Sequence, residues 1–224
     1  MALLLYGVVS TEACRLEAMP LPDRAVENNG VIQQQPLFWV QHGQLAALVR
    51  EVSQLPTDQQ AVLDYGRVIA DIHQQRDIVP IRYGSLLANE DVLRNTLEKQ
   101  AGQYQTWLRQ VQGCVEMGVS IPIDDIQQNT HPVSGAAYLQ WCRQKYRPDQ
   151  LALAEAELEN VVTGCYRRRF SEVSSRFVQR TLSIAYLVPR NQLSQFQMVL
   201  KKVLANNPDW QVTGPWPPYS FVHC

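Results

Sequence analysis

The sequence has no long block of like charge, no glycine-rich phosphate loop, no paired-cysteine spacing and no apolar run long enough to cross a bilayer. Each absence removes a class of function. Net charge is −1 over 224 residues, and the basic groupings are Arg167-Arg168-Arg169 and Lys201-Lys202. That falls short of the broad basic footprint of a nucleic-acid binder. The three arginines are read as sitting at a helix end against its macrodipole, or as plainly solvated. The five cysteines, Cys14, Cys114, Cys142, Cys165 and Cys224, are scattered and odd in number, which suits free thiols in a reducing compartment. The N-terminus, Met1 to Val9, is apolar but lacks the charged region and length of a signal peptide. The expectation is a cytoplasmic chain with no membrane and no nucleic-acid partner.

Catalytic and metal-binding patterns are equally scarce. His42, His73, His131 and His223 are not spaced from one another, or from Cys or carboxylates, as metal ligands are. Asp124-Asp125 is one adjacent acid pair, in a polar stretch that reads as a solvated turn; acid–base work needs groups set across a substrate. Ser134-Gly135 lacks the G-x-S-x-G context of a nucleophile elbow. No catalytic residue, cofactor or metal is therefore expected.

What is present is alternation of strands and helices. Leu3 to Val9 reads as a buried strand, and residues 10–30 as an irregular connection. Short strands at Val31-Ile32 and Leu37–Val40 lead through His42-Gly43 into Leu45–Val49, a hairpin. Thr57 to Gln60 forms a capping-box pattern, before a helix carrying Val62, Tyr65, Val68, Ile69 and Ile72. A strand at Ile78–Arg82 follows. Asn89 then caps one helix with the stripe Val92, Leu93, Leu97, Ala101, Tyr104, Leu108 and Val111, stopped by Gly113.

The second half repeats this theme. Cys114–Pro122 is strand-like, and Ile123–Pro132 is a polar loop. Ser134 caps a helix with Tyr138, Leu139, Cys142 and Tyr146, which Pro148 breaks or kinks. The apolar stripe resumes from Leu151 to Cys165. A strand at Leu182–Val188 precedes a helix capped by Asn191, and Trp210–Val212 is extended again. A hairpin in the first half, with no nucleotide loop after any strand, favours α+β over a doubly wound sheet. The natural division is 1–112 and 113–224.

Two segments stand out. In Pro80-Ile81-Arg82-Tyr83-Gly84, Arg82 could hold an anion, the basis of an alternative reading as a small-molecule or anion-binding enzyme. The plainer reading pairs Arg82 with a buried carboxylate or helix carbonyls, and lets Gly84 make a tight turn. The tail Thr213-Gly214-Pro215-Trp216-Pro217-Pro218-Tyr219-Ser220-Phe221 is stiffened by three prolines, and its aromatics are placed as if to be buried, so it reads as an edge strand or clasp on the second half.

The tail resembles the C-terminal signature of the gas vesicle protein F/L family. Leu5 to Val9 is similar to that family's first strand, and Val79 to Ser85 to its Leu-Pro-Leu-Arg-Phe-Gly-Thr motif, with Tyr83 where Phe is usual. Gly113 to Val119, with Glu116 and Gly118, resembles its Gly-x-x-Glu-x-Gly-Val strand. Ser134-Gly135-Ala136-Ala137-Tyr138-Leu139 resembles its Ser-Gly-x-x-Tyr-Leu helix start. The resemblance implies an accessory or minor component of gas vesicles, the gas-filled buoyancy organelles of some prokaryotes. It implies two modified ferredoxin-like domains with a proline/aromatic tail. It also implies partners in the main hydrophobic shell protein and other gas vesicle proteins, and brings no catalytic residue or cofactor. The motif residues Arg82, Tyr83, Gly84, Glu116, Gly118, Ser134, Gly135, Tyr138, Gly214, Trp216, Pro217, Pro218, Tyr219 and Phe221 are expected to be structural.

Overall fold

A computed structural model of the chain describes residues 1–11, 36–123, 134–136, 148–174 and 180–222. The expected strand Val31-Ile32, most of the connection at 10–30, most of the loop at 123–132 and the helix through Tyr138 lie outside them. The described chain is α+β and forms two compact units, Met1–Val115 with Trp216–Cys224, and Glu116–Pro215.

The first unit is built on β1 (Ala2–Ser10), whose apolar run is buried along most of its length. Antiparallel neighbours flank it: β3 (Leu45–Val52) on one side, the short β4 (Val79–Pro80) and β5 (Leu86–Leu87) on the other. The hairpin partner β2 (Leu37–His42) lies outside β3, the two joined through Gly43 at φ +59°. Leu4, Tyr6, Ala46 and Leu48 face a core completed by Tyr65, Val68, Ile69 and Ile72 of α1 (Gln59–Gln75). Leu3, Leu5, Val8, Ala47 and Val49, outside that cluster, are just as buried, so these central strands are covered on both faces. Burial on both faces accounts for a continuous apolar run where one covered face would give alternation.

Several elements differ from expectation. The cap of α1 is Asp58, which accepts from the Ala61 N–H at 2.8 Å; Thr57 is not the cap, and Gln60 bonds Asp64 rather than reaching back. Val62 is 44% exposed, outside the buried stripe. The strand at 78–82 is cut to two residues, because Pro80 has no N–H for a ladder. Asn89 does cap its helix, accepting from Val92. That helix, however, is two: α2 (Glu90–Lys99) and α3 (Ala101–Val111), broken at Gln100 (φ −104°, ψ 10°) before Gly102, a weak helix former. Val92 is exposed. Gly113, at φ +66°, follows the end of α3 as expected.

The second unit holds a four-stranded sheet in the order β7 (Arg168–Ser174), β8 (Arg180–Pro189), β6 (Cys114–Ile123), β9 (Gln211–Trp216). Alternate residues Val115, Met117, Val119 and Ile121 of β6 are buried. So are Leu182, Ile184, Tyr186 and Val188 of β8, and Leu158, Val162, Phe196, Leu200 and Val203 from α4 (Pro148–Val162) and α5 (Leu193–Asn206). Pro148 opens the described part of α4, and the residues before it lie outside the described residues. Asn191 does not cap α5. It lies in a single 3-10 turn, Arg190–Gln192, and the Leu193 N–H donates to the Arg190 carbonyl there. The arginine run is not at a helix end either: α4 stops at Val162, the chain turns through Gly164 at φ +83°, and Arg168 opens β7.

Candidate functional site

The Pro80–Gly84 motif sits on a cluster of tyrosines in the first unit. Pairing of β1 with β3 slips between Leu5 and Gly7, leaving Tyr6 as the extra residue of a bulge. Its ring stacks on Tyr65 of α1, with centroids 4.5 Å apart, and Tyr83 meets Tyr65 edge-on at 5.0 Å. The Arg50 guanidinium lies 5.7 Å above the Tyr6 ring. The Tyr65 hydroxyl is 2.7 Å from the Leu5 carbonyl and 2.8 Å from that of Ile81, and its single proton serves either one. It thereby ties α1 to β1 and to the chain leaving β4. Gly7 completes the arrangement, since a Cβ there would lie 2.5 Å from Ile78 and 2.9 Å from the Val79 carbonyl.

Three phenols in this cluster are held protonated. Burial pushes Tyr65 well above the ordinary tyrosine range, reinforced by Tyr219, Tyr6 and Tyr83. Burial raises Tyr6 against the opposing pull of Arg50, and Tyr83 is raised by burial and then by Asp58. Tyr65 and Tyr83, neutral phenols donating to carbonyls, act as locks between segments. Tyr83 donates to the Pro56 carbonyl just before α1. Gly84 (φ +93°) lets the turn close, with Ser85 N–H and Oγ donating to the Arg82 carbonyl at 3.4 and 3.0 Å. The Arg82 side chain itself is exposed, with no carboxylate at ion-pair distance among the described residues, so the expected buried pairing is not found.

The other motif residues are structural neighbours rather than one constellation. Gly118 of β6 faces Thr213 of β9, where a Cβ would come within 2.6 Å of the threonine Oγ1. At Gly214 (φ +108°) a Cβ would meet the Glu116 carbonyl at 2.7 Å. Beyond β9 the chain follows the first unit, not the second as the tail's aromatics suggested. Pro217, Pro218 and Phe221 are buried, Tyr219 packs on the α1 core, and Gln110 of α3 donates to the Phe221 carbonyl at 2.9 Å. Trp216 departs from the expected burial, being 52% exposed. Ser134 and Gly135 are exposed, and Tyr138 lies outside the described residues, as do Asp124, Asp125, His131 and His223.

A second polar cluster was not visible in the sequence. Tyr166 donates to Glu159 of α4, and Arg169 lies 3.8 Å from Glu159 and 3.6 Å from Glu155. The Tyr166 phenol is pushed up to about 12, first by burial and then by the Glu159 carboxylate. Tyr186, across the sheet from Arg169, meets the Tyr166 ring at 5.0 Å. The signal that could have shown it is Arg169 alternating with Phe170 in a strand, which the reading of the arginines as one run concealed. Among the described residues no group of His, Cys, Asp and Glu could hold a metal ion, and no helix is long and apolar enough to cross a membrane.

Comparison with known proteins places these features in context. The profile of the family described as gas vesicle synthesis protein GvpL/GvpF matches residues 2–223. Gas vesicle protein F1 of Halobacterium salinarum is 24% identical over 234 aligned residues, covering 97% of this chain and 91% of that protein. Gas vesicle protein F2 of the same organism is 25% identical, covering 88% and 85%. The crystal structure of the gas vesicle protein GvpF from Anabaena sp. superimposes with a TM-score of 0.75 at 15% identity, covering all of this chain and 96% of that one. GvpF from Microcystis aeruginosa gives 0.74 at 12% identity, covering all of this chain and 99% of that one. The fold is therefore shared at low sequence identity.

Proposed function

Because the chain belongs to the gas vesicle synthesis protein GvpL/GvpF family, we propose that it binds the main hydrophobic shell protein, and other gas vesicle proteins, during nucleation and assembly. The match along residues 2–223 carries this reading, since it takes in both units and the tail. In this reading the chain works in the cytoplasm and on the gas vesicle, as two modified ferredoxin-like domains, by binding and not by catalysis. The motif residues stabilise those domains. Tyrosines locked as hydrogen-bond donors and glycines at close backbone approaches are what a rigid scaffold needs. A strongly apolar shell subunit exposes surface that aggregates before it enters the wall, and a folded partner can cover that surface until nucleation.

The contact we assign to the first unit is one flank of α1. Helical spacing sets Val62, Gly66 and Ala70 in a row, with Leu63 beside them. Val62 is 44% and Leu63 48% exposed, and a Cβ added at Gly66 would meet no described residue within 4 Å. Covering the two aliphatic side chains contributes about 2 kcal/mol. Capture of purified shell protein by the full chain tests this, with Val62→Asp/Leu63→Asp as the comparison. The wild type is expected to retain the shell protein, and the double variant, folded normally, to lose about tenfold or more in affinity. If the wild type captures none, the function is wrong. If the variant captures as well as the wild type, only the assigned surface is wrong.

A further inference from the structure

The second unit's sheet ends in a strand whose side chains form a self-complementary set. Among the described residues β7 has one strand neighbour, β8. A row of its backbone N–H and C=O groups therefore has no strand partner among the described residues. Alternation puts Arg168, Phe170 and Glu172 on one face, and Arg169, Ser171 and Val173 on the other. Arg169 is engaged with Glu155 and Glu159 of α4. Arg168 and Glu172 are exposed and have no ion-pair partner among the described residues, and Phe170 is 41% exposed. Arg168 and Glu172 stand four residues apart along the strand, about 13 Å, too far to pair with each other.

We propose that β7 is a homotypic pairing edge, through which two copies of this chain join their second-unit sheets into one continuous antiparallel sheet. With the twofold axis at Phe170, residues equally far before and after it in the two copies stand opposite each other. Arg168 then faces the second copy's Glu172, Glu172 faces its Arg168, and the two Phe170 rings meet between these ion pairs. Every such pair joins residues of the same parity. Edge-facing backbone groups thus meet edge-facing groups, whichever set β8 leaves open. Moving the axis by one residue, to Ser171, would set Phe170 against Glu172 and Arg169 against Val173. The charges therefore select the Phe170 register. The same charges hinder a neutral apolar strand, since it would leave both unpaired over the new sheet face.

Sedimentation velocity of the full chain over a concentration series tests the proposal. The wild type is expected to show a reversible monomer–dimer equilibrium. Arg168→Glu sets acid against acid across the junction, and Glu172→Arg sets base against base. Each should weaken the dimer about tenfold or more. The double variant Arg168→Glu/Glu172→Arg restores both pairs with reversed polarity and should recover wild-type association. Both positions are exposed, so the variants are expected to keep the wild-type circular dichroism spectrum. A wild type that stays monomeric throughout overturns the proposal. So does a dimer indifferent to the single changes, or a double variant no stronger than the singles.

Discussion

Gly118 and Gly214 mark where β9 closes on β6, and their surroundings rank them differently. Gly118 is opposed by the end of a threonine side chain, which can rotate away. Gly214 combines a φ of +108° with a backbone carbonyl 2.7 Å from where a Cβ would sit, and neither can yield without moving a strand. Gly214→Ala is therefore expected to cost about 1–3 kcal/mol of stability, and Gly118→Ala less than about 1 kcal/mol. Urea denaturation of both variants checks the order, and equal losses would contradict it. The residue types of these motifs were legible in the sequence, but their reasons were not. Nothing local shows that Gly214 needs a positive φ, or that Tyr65 reaches two carbonyls from residues sixty and sixteen positions away. Arg82 is the reverse case, a residue that drew attention by its type and has an exposed side chain, while its carbonyl closes the turn.

Helix ends separate what local chemistry decides from what the incoming chain decides. Asn89 could be read as a cap because no rival stood beside it, whereas Thr57 and Asp58 are adjacent and both able to cap. The structure selects Asp58, whose extended backbone brings its carboxylate to the Ala61 N–H. Asp58→Ala should thus destabilise the chain by about 1 kcal/mol, and Thr57→Ala by less than about 0.5 kcal/mol, measured by thermal unfolding. A larger loss at Thr57 would overturn the assignment. Strands followed the same division. Long buried β1 and β8 announced themselves, while two-residue β4 and β5 are too short for any period to register. β7 carries no apolar period, because Arg168, Arg169 and Glu172 break it. Edge treatment also differs between the sheets. At β2, Arg94 of α2 donates to the Gln41 carbonyl and pairs with Glu90, so the helix clamps the edge strand. At β7 the edge carries the Arg168–Phe170–Glu172 set.

At the scale of the whole chain, the sequence spoke most clearly through a few short motifs. The proline–aromatic tail, the Arg-Tyr-Gly turn and the Gly113 to Val119 segment carried the family resemblance, and the family profile spans residues 2–223. What the tail does physically was only half legible. Its extended start was foreseen and lies in β9, but Tyr219 and Phe221 close the first unit, because a stiff segment can leave one core and fill another. The central claim concerns binding, and the soluble fraction of the shell protein tests it most directly. The shell protein should be expressed alone, and then together with this chain. The account predicts that co-expression raises the soluble fraction and that the two proteins co-purify; an unchanged soluble fraction with no co-purification would contradict it.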